Sequence, residues 1–171
     1  DSCEYRMVVN AANHQKDVAH LRNHNSYEVT IDDYTDSTAM IAVQGPRAAG
    51  IVGGLSDKPA EMTGVPFFSV VECNVAGVPV FAARSGYTGE DGYELICPAG
   101  HAEQLWDSLT RAGVEPCGLG ARDVLRLEAG LPLYGHELGD DMNPIAAQLG
   151  WALGKTKAFL GRESIHKARD D

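Results

Sequence analysis

The sequence lacks several features that would place it in a specialised class of protein. No apolar run approaches the roughly 18 to 20 residues that a helix needs to span a bilayer, which excludes a membrane-spanning helix. Aromatic residues make up only 7% of the 171 residues, but 44% are hydrophobic and 22% are charged, which is the balance of a globular chain. Basic residues are also few, since 14 of them face 24 acidic residues and leave a net charge of −10. That charge disfavours binding to nucleic acid.

Closely spaced metal ligands are lacking as well. The cysteines are far apart in the chain, at Cys3, Cys73, Cys97 and Cys117. Cysteines of a zinc or iron–sulfur site usually stand a few residues apart, so we expect reduced structural thiols, although spacing alone leaves a disulfide open. His14, His20 and His24 share one segment, where a solvated helix face is favoured over a metal pair because no acidic or cysteine partner has a ligand-like spacing. We therefore expect no metal.

The usual signatures of nucleophilic and nucleotide-binding sites are missing too. No Gly-x-Ser-x-Gly segment is present, and no cysteine has a base partner that the sequence identifies. The glycine-containing segments 45–50 and 118–128 do not have the spacing of a dinucleotide-binding or phosphate-binding loop. Covalent catalysis is therefore not indicated.

Short strands and helices are intermixed along the chain. Apolar and alternating runs predict strands, and the apolar stripe around Trp106 predicts the most regular helix, with Trp106 in the core. The predicted strands are 5–10, 27–31, 38–43, 67–73, 78–84 and 93–97, and the predicted helices are 15–23, 46–52, 101–112 and 121–131. Strands 67–73 and 78–84 are expected to form a hairpin. This pattern indicates an α+β fold with mixed or antiparallel sheets and packed helices rather than a doubly wound parallel sheet.

The densest candidate site is the glycine-rich loop 86–92 with the strand that follows it. The glycines permit positive φ angles and a close approach of the backbone to a ligand. Alternation along the strand places Glu94 and Ile96 on the face opposite Tyr93. A carboxylate beside an apolar side chain needs a partner, and a planar ligand with two adjacent N–H donors would supply one. A surface position on a half-solvated sheet is the alternative interpretation of Glu94.

A second candidate is the segment 118–128. Arg122 falls in the first turn of a predicted helix, where a cation opposes the helix macrodipole. Such a cation asks for a compensating anion. This is either a protein carboxylate, such as Glu94 or Asp123, or an anionic group of a ligand, and the sequence leaves both open.

Together these two segments resemble those of a known family. The stretch Arg84-Ser-Gly-Tyr-Thr-Gly-Glu-Asp-Gly-Tyr-Glu94, followed by Gly118-Leu-Gly-Ala-Arg-Asp-Val-Leu-Arg-Leu-Glu-Ala-Gly-Leu131, is similar to the T-protein of the glycine cleavage system. Further similarity lies at 8–13, 42–46 and 149–154. The resemblance therefore covers most of the chain and includes two long, specific motifs.

The resemblance implies a tetrahydrofolate-dependent aminomethyltransferase. Such an enzyme takes the aminomethyl group from the lipoyl arm of the H-protein, releases ammonia and leaves the methylene unit on tetrahydrofolate, its co-substrate. On the matching positions, Glu94 is expected to bind the pterin ring, Arg122 is the folate-site arginine, and Asn10 borders the same pocket. Tyr87 either packs on the ligand or belongs to the core. The implied partners are the lipoylated H-protein and a reduced folate, without nucleic acid or membrane.

The resemblance also implies that the chain is one part of a longer protein. The acidic residue that assists amine departure in the family would lie upstream of Asp1, so no catalytic residue is expected in this chain, and transferase activity of the isolated chain is expected to be weak or absent. The implied division has residues 1–55 in a middle strand-helix subdomain and 56–158 in a folate-binding α+β subdomain. Residues 159–171 would begin a connection to a C-terminal domain.

Other functions are compatible with the same motifs. A folate-dependent demethylase of the same superfamily, acting on sarcosine, dimethylglycine or a sulfonium substrate, shares the glycine-rich loop. A non-catalytic folate-binding fragment is an alternative from a different functional class. The resemblance implies a location in the cytoplasm of a bacterium or archaeon, or in the mitochondrial matrix of a eukaryote.

Overall fold

The computed structural model describes residues 4–27 and 29–170. In chain order its helices and strands are α1 (His14–Asn23), β1 (Thr38–Gln44), α2 (Ala48–Leu55), α3 (Pro59–Gly64), β2 (Val70–Val75), β3 (Val78–Ala83), β4 (Gly92–Pro98), α4 (Ala102–Arg111), α5 (Leu119–Glu128) and α6 (Arg162–Asp170). An antiparallel sheet thus combines with helices along one chain. The predicted α+β class is confirmed.

The four strands form one antiparallel sheet in the order β1-β4-β3-β2. β2 and β3 make the predicted hairpin, in which Val75 pairs with Val78 across a two-residue turn. Both turn residues, Ala76 and Gly77, have positive φ, of 52° and 76°. Positive φ at both central positions is the mark of a type I′ turn, whose twist matches that of the strands. The chain therefore reverses tightly and sets β3 beside β2.

One face of the sheet carries the hydrophobic core. Buried and exposed side chains alternate along β2 and β3, and Tyr93 of β4 points to the buried side with its hydroxyl donating to the carbonyl of Met62. The helices α2, α3 and α4 add Val52, Met62, Leu105 and Leu109 to this core. The alternation of β4 then leaves Glu94 and Ile96 on the opposite, less buried face.

Two of the predicted strands are wrong. Residues 4–10 have no ladder partner among the residues that the structure describes, and Tyr5 within them is 91% exposed. Residues 29–31 are also unpaired, and residue 28 of that predicted strand lies outside the described residues. Alternating or apolar sequence becomes a strand only when a neighbouring chain segment satisfies its backbone N–H and C=O groups.

The prediction that Trp106 belongs to the core is also wrong. The helix itself is confirmed as α4, but Trp106 is 46% exposed, whereas Leu105 and Leu109 are buried. Adjacent helical positions differ by about 100° around the axis, so turning Leu105 fully inward rotates its neighbour toward solvent. The apolar stripe in the sequence includes Trp106 as well as Leu105 and Leu109, but in the packed structure only the two leucines are buried.

The chain divides into two compact units, one up to Leu125 and the other from Arg126. In the second unit Arg126 is 3% exposed and donates to Glu137 at 2.7 Å, as a buried charge requires. In the first unit β1 pairs with β4, so residues on both sides of position 55 share one sheet. The expected division at residues 55 and 158 concerns a longer protein and stays a prediction. None of the described helices is long and apolar enough to cross a membrane.

Candidate functional site

Glu94 lies on the open face of the sheet, opposite the core. Across the ladder it pairs with Ala42 of β1 and Ala83 of β3, so small side chains flank its carboxylate on both sides. The next row across the sheet is mainly apolar and contains Met40, Ile96 and Phe81. Glu94, Ile96 and Phe81 line one groove, whose lining also includes the charged residues Glu4, Arg6 and Glu72. The Arg6 guanidinium carbon lies 4.4 Å from the centre of the Phe81 ring. The carboxylate therefore stands in a groove of mixed apolar and charged lining.

A single serine fixes the direction of the Glu94 carboxylate. The Ser85 hydroxyl donates to Glu94 Oε2 at 2.5 Å, and both side chains are partly buried. An ionised carboxylate has about four lone-pair positions on its two oxygens, so one serine hydrogen bond leaves acceptor capacity on the group. The carboxylate is thus oriented without being saturated.

An ion pair closes the glycine-rich loop at its base. Arg84 donates from Nε and Nη2 to the two carboxylate oxygens of Asp91, at 3.0 and 2.8 Å. This hydrogen bonding holds the pKa of the Asp91 carboxyl below its ordinary value, against the opposing effect of burial. A bidentate pair of this kind restricts both partners in distance and in plane. The two ends of the loop, which carries Tyr87 and directly follows Ser85, are therefore held together.

The side chain of Gln44, at the end of β1, bridges the two ends of the same loop. Its Nε2 donates to the carbonyl oxygens of Ser85 at 3.0 Å and Tyr93 at 3.3 Å. Its Oε1 accepts a hydrogen bond from the Thr88 hydroxyl at 3.1 Å. Gln44 thus links the residue before the loop's first glycine to the residue that precedes Glu94.

Two glycines make room for this bridge. A Cβ added to Gly86 would lie 1.8 Å from Gln44 Oε1, and one added to Gly92 would lie 2.4 Å from the carbonyl oxygen of Val43. Neither glycine has a positive φ, in contrast to Gly89, whose φ is 76°. The loop therefore uses glycine for close approach at two positions and for backbone conformation at a third.

The structure brings Arg122 and Tyr87 together. The guanidinium carbon of Arg122, in the first half of α5, lies 4.8 Å from the centre of the Tyr87 ring. This is the geometry of a cation–π contact. Tyr87 lies in the glycine-rich loop that directly follows Ser85, and Ser85 in turn contacts Glu94. The loop therefore connects three of the predicted site residues.

Asn10 lies in a different setting. Its side-chain oxygen accepts a hydrogen bond from the amide of Ala12 at 3.1 Å and so caps a 3-10 turn at 11–13. Asn10 is exposed and is not one of the residues that line the groove beside Glu94. The structure thus does not bring Asn10 to the other candidates.

No group of three or more metal-ligating side chains occurs within residues 4–27 and 29–170. His20 and His24 stack with ring centres 4.3 Å apart, and His24 Nδ1 lies 2.8 Å from the His20 carbonyl oxygen. Cys73 and Cys97 are free and buried, and burial raises the pKa of both thiols. Cys117 is free and exposed, while Cys3 lies outside the described residues.

Sequence reasoning missed Gln44 and Ser85 as members of the site. Gln44 is the last residue of β1, Ser85 lies two residues after β3, and each is followed by a glycine, Gly45 or Gly86. A polar residue that ends a strand and is followed by glycine is the signal that could have selected them. Their partners lie far away in sequence, since 41 residues separate Gln44 from Ser85.

Comparison with known proteins identifies the family of this chain. The family model described as the GCVT N-terminal domain matches residues 1–157. A Thermus thermophilus aminomethyltransferase is 48% identical over 163 residues, covering 95% of this chain and 46% of that protein. An Exiguobacterium sibiricum aminomethyltransferase is 44% identical over 172 residues, covering 100% of this chain and 47% of that protein.

A solved structure has the same fold. The crystal structure of glycine cleavage system aminomethyltransferase T from Bartonella henselae matches with a TM-score of 0.78 and 35% identity, over 94% of this chain and 44% of that chain. This chain therefore spans about half the length of the curated relatives that it matches. The resemblance inferred from the two long motifs is confirmed: the chain belongs to the GCVT N-terminal domain family, whose members include the aminomethyltransferases of the glycine cleavage system.

Proposed function

We propose that this chain is the folate-binding part of a tetrahydrofolate-dependent aminomethyltransferase of the glycine cleavage system. The whole enzyme takes the aminomethyl group from the lipoyl arm of the H-protein, releases ammonia and leaves the methylene unit on tetrahydrofolate. The named relatives support this reaction. Within the chain, the observation that carries the proposal is the oriented Glu94 carboxylate, which lies beside Ile96 in a groove on the open face of the sheet.

In this proposal Glu94 binds the pterin ring of a reduced folate. The ring presents an amino group and a ring N–H side by side, and a carboxylate accepts both in two parallel hydrogen bonds. Ala42 and Ala83 leave space on either side of the carboxylate, and Ile96 offers an apolar side chain to the ring.

Arg122 supplies positive charge for an anionic part of the folate. A guanidinium that stacks on a ring through its face keeps its N–H groups in its own plane, where they suit a carboxylate. The contact with Tyr87 supports this orientation. Asn10 is retained as a candidate for the same pocket on the family resemblance alone.

The relatives also support a proposal for the partner and the compartment. The aminomethyl donor is the lipoylated H-protein, and tetrahydrofolate is the acceptor. The two named aminomethyltransferases come from bacteria, which supports a location in the bacterial cytoplasm.

Titration calorimetry with 5-formyltetrahydrofolate, a stable reduced folate, tests the proposal on the 171-residue chain. The variant Glu94→Gln keeps the side-chain shape but replaces an acceptor oxygen by an NH2 donor, which faces an N–H of the pterin. Loss of a hydrogen bond to a charged group is worth about 1.5 to 3 kcal/mol, so the dissociation constant is expected to rise about 10- to 100-fold.

Glu103→Gln provides the matched control. Glu103 is an exposed residue in the first turn of α4, away from the groove. The control is expected to bind like the wild-type chain. Equal binding by the wild-type chain and Glu94→Gln would refute the assignment of Glu94, and absence of binding by the wild-type chain would refute the proposed folate site.

A further inference from the structure

We propose that Ser85 is a positioning residue for Glu94 and that Gln44 holds Ser85 in place. This inference rests on the proposed function, because it concerns how the carboxylate receives the pterin ring. Ala83 pairs with Glu94 across the ladder, and Ser85 is two residues further along the same chain. The chain bends at Arg84 after the last paired residue of β3, and Ser85 lines the same groove as Ala83 and Glu94 on the open face of the sheet.

The hydrogen bond from Ser85 sets the plane of the carboxylate. A glutamate side chain has three rotatable bonds, and the last of them turns the carboxylate almost freely. Two parallel hydrogen bonds to a planar ligand require the carboxylate to lie in the plane of the donors. The Ser85 hydroxyl, 2.5 Å from Oε2, anchors one oxygen and so fixes this rotation before the ligand arrives. Binding then costs less side-chain ordering.

The position of Ser85 is itself determined by two backbone contacts. Its amide donates to the Ala83 carbonyl at 2.9 Å, and its carbonyl accepts from Gln44 Nε2 at 3.0 Å. The same Nε2 donates to the carbonyl of Tyr93, the residue before Glu94. Gln44 therefore ties the backbone beside the hydroxyl to the backbone beside the carboxylate. It fixes the distance across which Ser85 and Glu94 meet.

The test compares two ligands on three variants of the 171-residue chain. The ligands are 5-formyltetrahydrofolate and its 2-desamino analogue, which lacks one of the two donors that Glu94 accepts. Ser85→Ala removes the hydroxyl, Ser85→Thr retains it, and Ser108→Ala is the matched control. The Ser108 hydroxyl donates to the Gln104 carbonyl inside α4, away from the groove. Thermal unfolding of each variant is measured in parallel.

Ser85→Ala is expected to weaken binding of 5-formyltetrahydrofolate about tenfold and binding of its 2-desamino analogue much less. The ratio of the two dissociation constants therefore becomes smaller than in the wild-type chain. Ser85→Thr and Ser108→Ala are expected to keep the wild-type preference. A purely structural role would weaken both ligands equally and leave their ratio unchanged.

The outcomes separate this inference from the function on which it rests. Suppose that Ser85→Ala keeps the wild-type ratio of affinities for the two ligands while Glu94→Gln loses binding. That result would overturn the positioning role of Ser85 and leave the folate site intact. No binding by the wild-type chain would overturn both. If Ser85→Ala does not fold, Ser85→Cys replaces it, since a thiol has similar size but is a weak donor. Wild-type preference in that variant would equally contradict the role of Ser85.

Discussion

Replacing Gly92 by alanine tests the packing that brings the loop to the end of β1. Gly92 is buried and pairs with Gln44 in the ladder between β4 and β1. An added Cβ would lie 2.4 Å from the Val43 carbonyl oxygen and 2.8 Å from Gln44 Cα. Both of these atoms belong to the backbone of the neighbouring strand, so a change of side-chain rotamer does not relieve the contact. The two strands must move apart.

The magnitude follows from three contributions. Forcing an extra carbon into a packed site costs about 1 to 3 kcal/mol. Separation of the strands also weakens the hydrogen bond from the Gly45 amide to the Asp91 carbonyl, now 2.7 Å long, which is worth about 1 kcal/mol. Alanine has fewer conformations than glycine in the unfolded chain, which stabilises the folded state by about 0.4 to 1 kcal/mol. Gly92→Ala is therefore expected to lower the free energy of unfolding by about 2 kcal/mol, or the Tm by about 4 to 8 °C.

Urea unfolding followed by circular dichroism measures this change, with Gly50→Ala as the control. Gly50 lies inside α2, its φ is not positive, and nothing lies within 4 Å of an added Cβ. Alanine at that position is expected to raise the free energy of unfolding by about 0.5 to 1 kcal/mol. The change from glycine to alanine is thus expected to lower the free energy of unfolding at Gly92 and to raise it at Gly50. A Gly92→Ala protein as stable as Gly50→Ala would refute the close approach.

A double-mutant comparison separates backbone from side-chain contacts. At Gly86 the added Cβ meets only atoms of the Gln44 side-chain amide among its nearest neighbours. Gln44→Ala is therefore expected to relieve most of the cost of Gly86→Ala, but not that of Gly92→Ala, which retains the Val43 contact. If the losses in the free energy of unfolding from Gln44→Ala and Gly86→Ala simply add, as those from Gln44→Ala and Gly92→Ala are expected to do, the bridging position of Gln44 is contradicted.

Two further changes probe the loop and its partner helix. Arg122→Ala is expected to weaken binding of 5-formyltetrahydrofolate about tenfold in calorimetry while leaving the Tm near the wild-type value, since Arg122 is exposed above Tyr87; an unfolded variant would instead indicate a structural salt bridge. Because Arg84 lowers the pKa of Asp91, this pair stabilises the fold above the unfolded pKa of about 3.9 and loses its effect as the pH falls through the lower folded pKa. The Tm difference between the wild-type chain and Asp91→Asn should therefore narrow from pH 7 toward pH 3, and a constant difference would contradict this assignment.

Local patterns predicted the sheet strands and the face on which Glu94 lies. Alternation between Tyr93 and Leu95 on one side and Glu94 on the other depends only on the two-residue repeat of a strand, which holds whatever the strand packs against. The β2–β3 hairpin was predictable because its strands and turn are contiguous in the chain. The candidates Glu94 and Arg122 came from such local features together with the family resemblance.

Predictions failed where a distant segment was decisive. The run at 5–10 has strand-like residues but no ladder partner in the structure. Trp106 belongs to the apolar stripe of its helix, but the rotation of that helix against the sheet placed Leu105 and Leu109 inside instead. Pairing and helix rotation are set by contacts between elements, which periodicity within one segment does not contain.

The sequence by itself determined the family, the α+β class and the position of Glu94 on the strand. Motifs, turns and alternation depend only on residues that are contiguous in the chain. Only the tertiary structure decided how that carboxylate is held. Gln44 reaches Ser85 across 41 residues of chain and Tyr93 across 49, and these contacts direct the Ser85 hydroxyl to Glu94. A hydrogen bond depends on distance and angle in space, and folding alone brings such distant groups within reach.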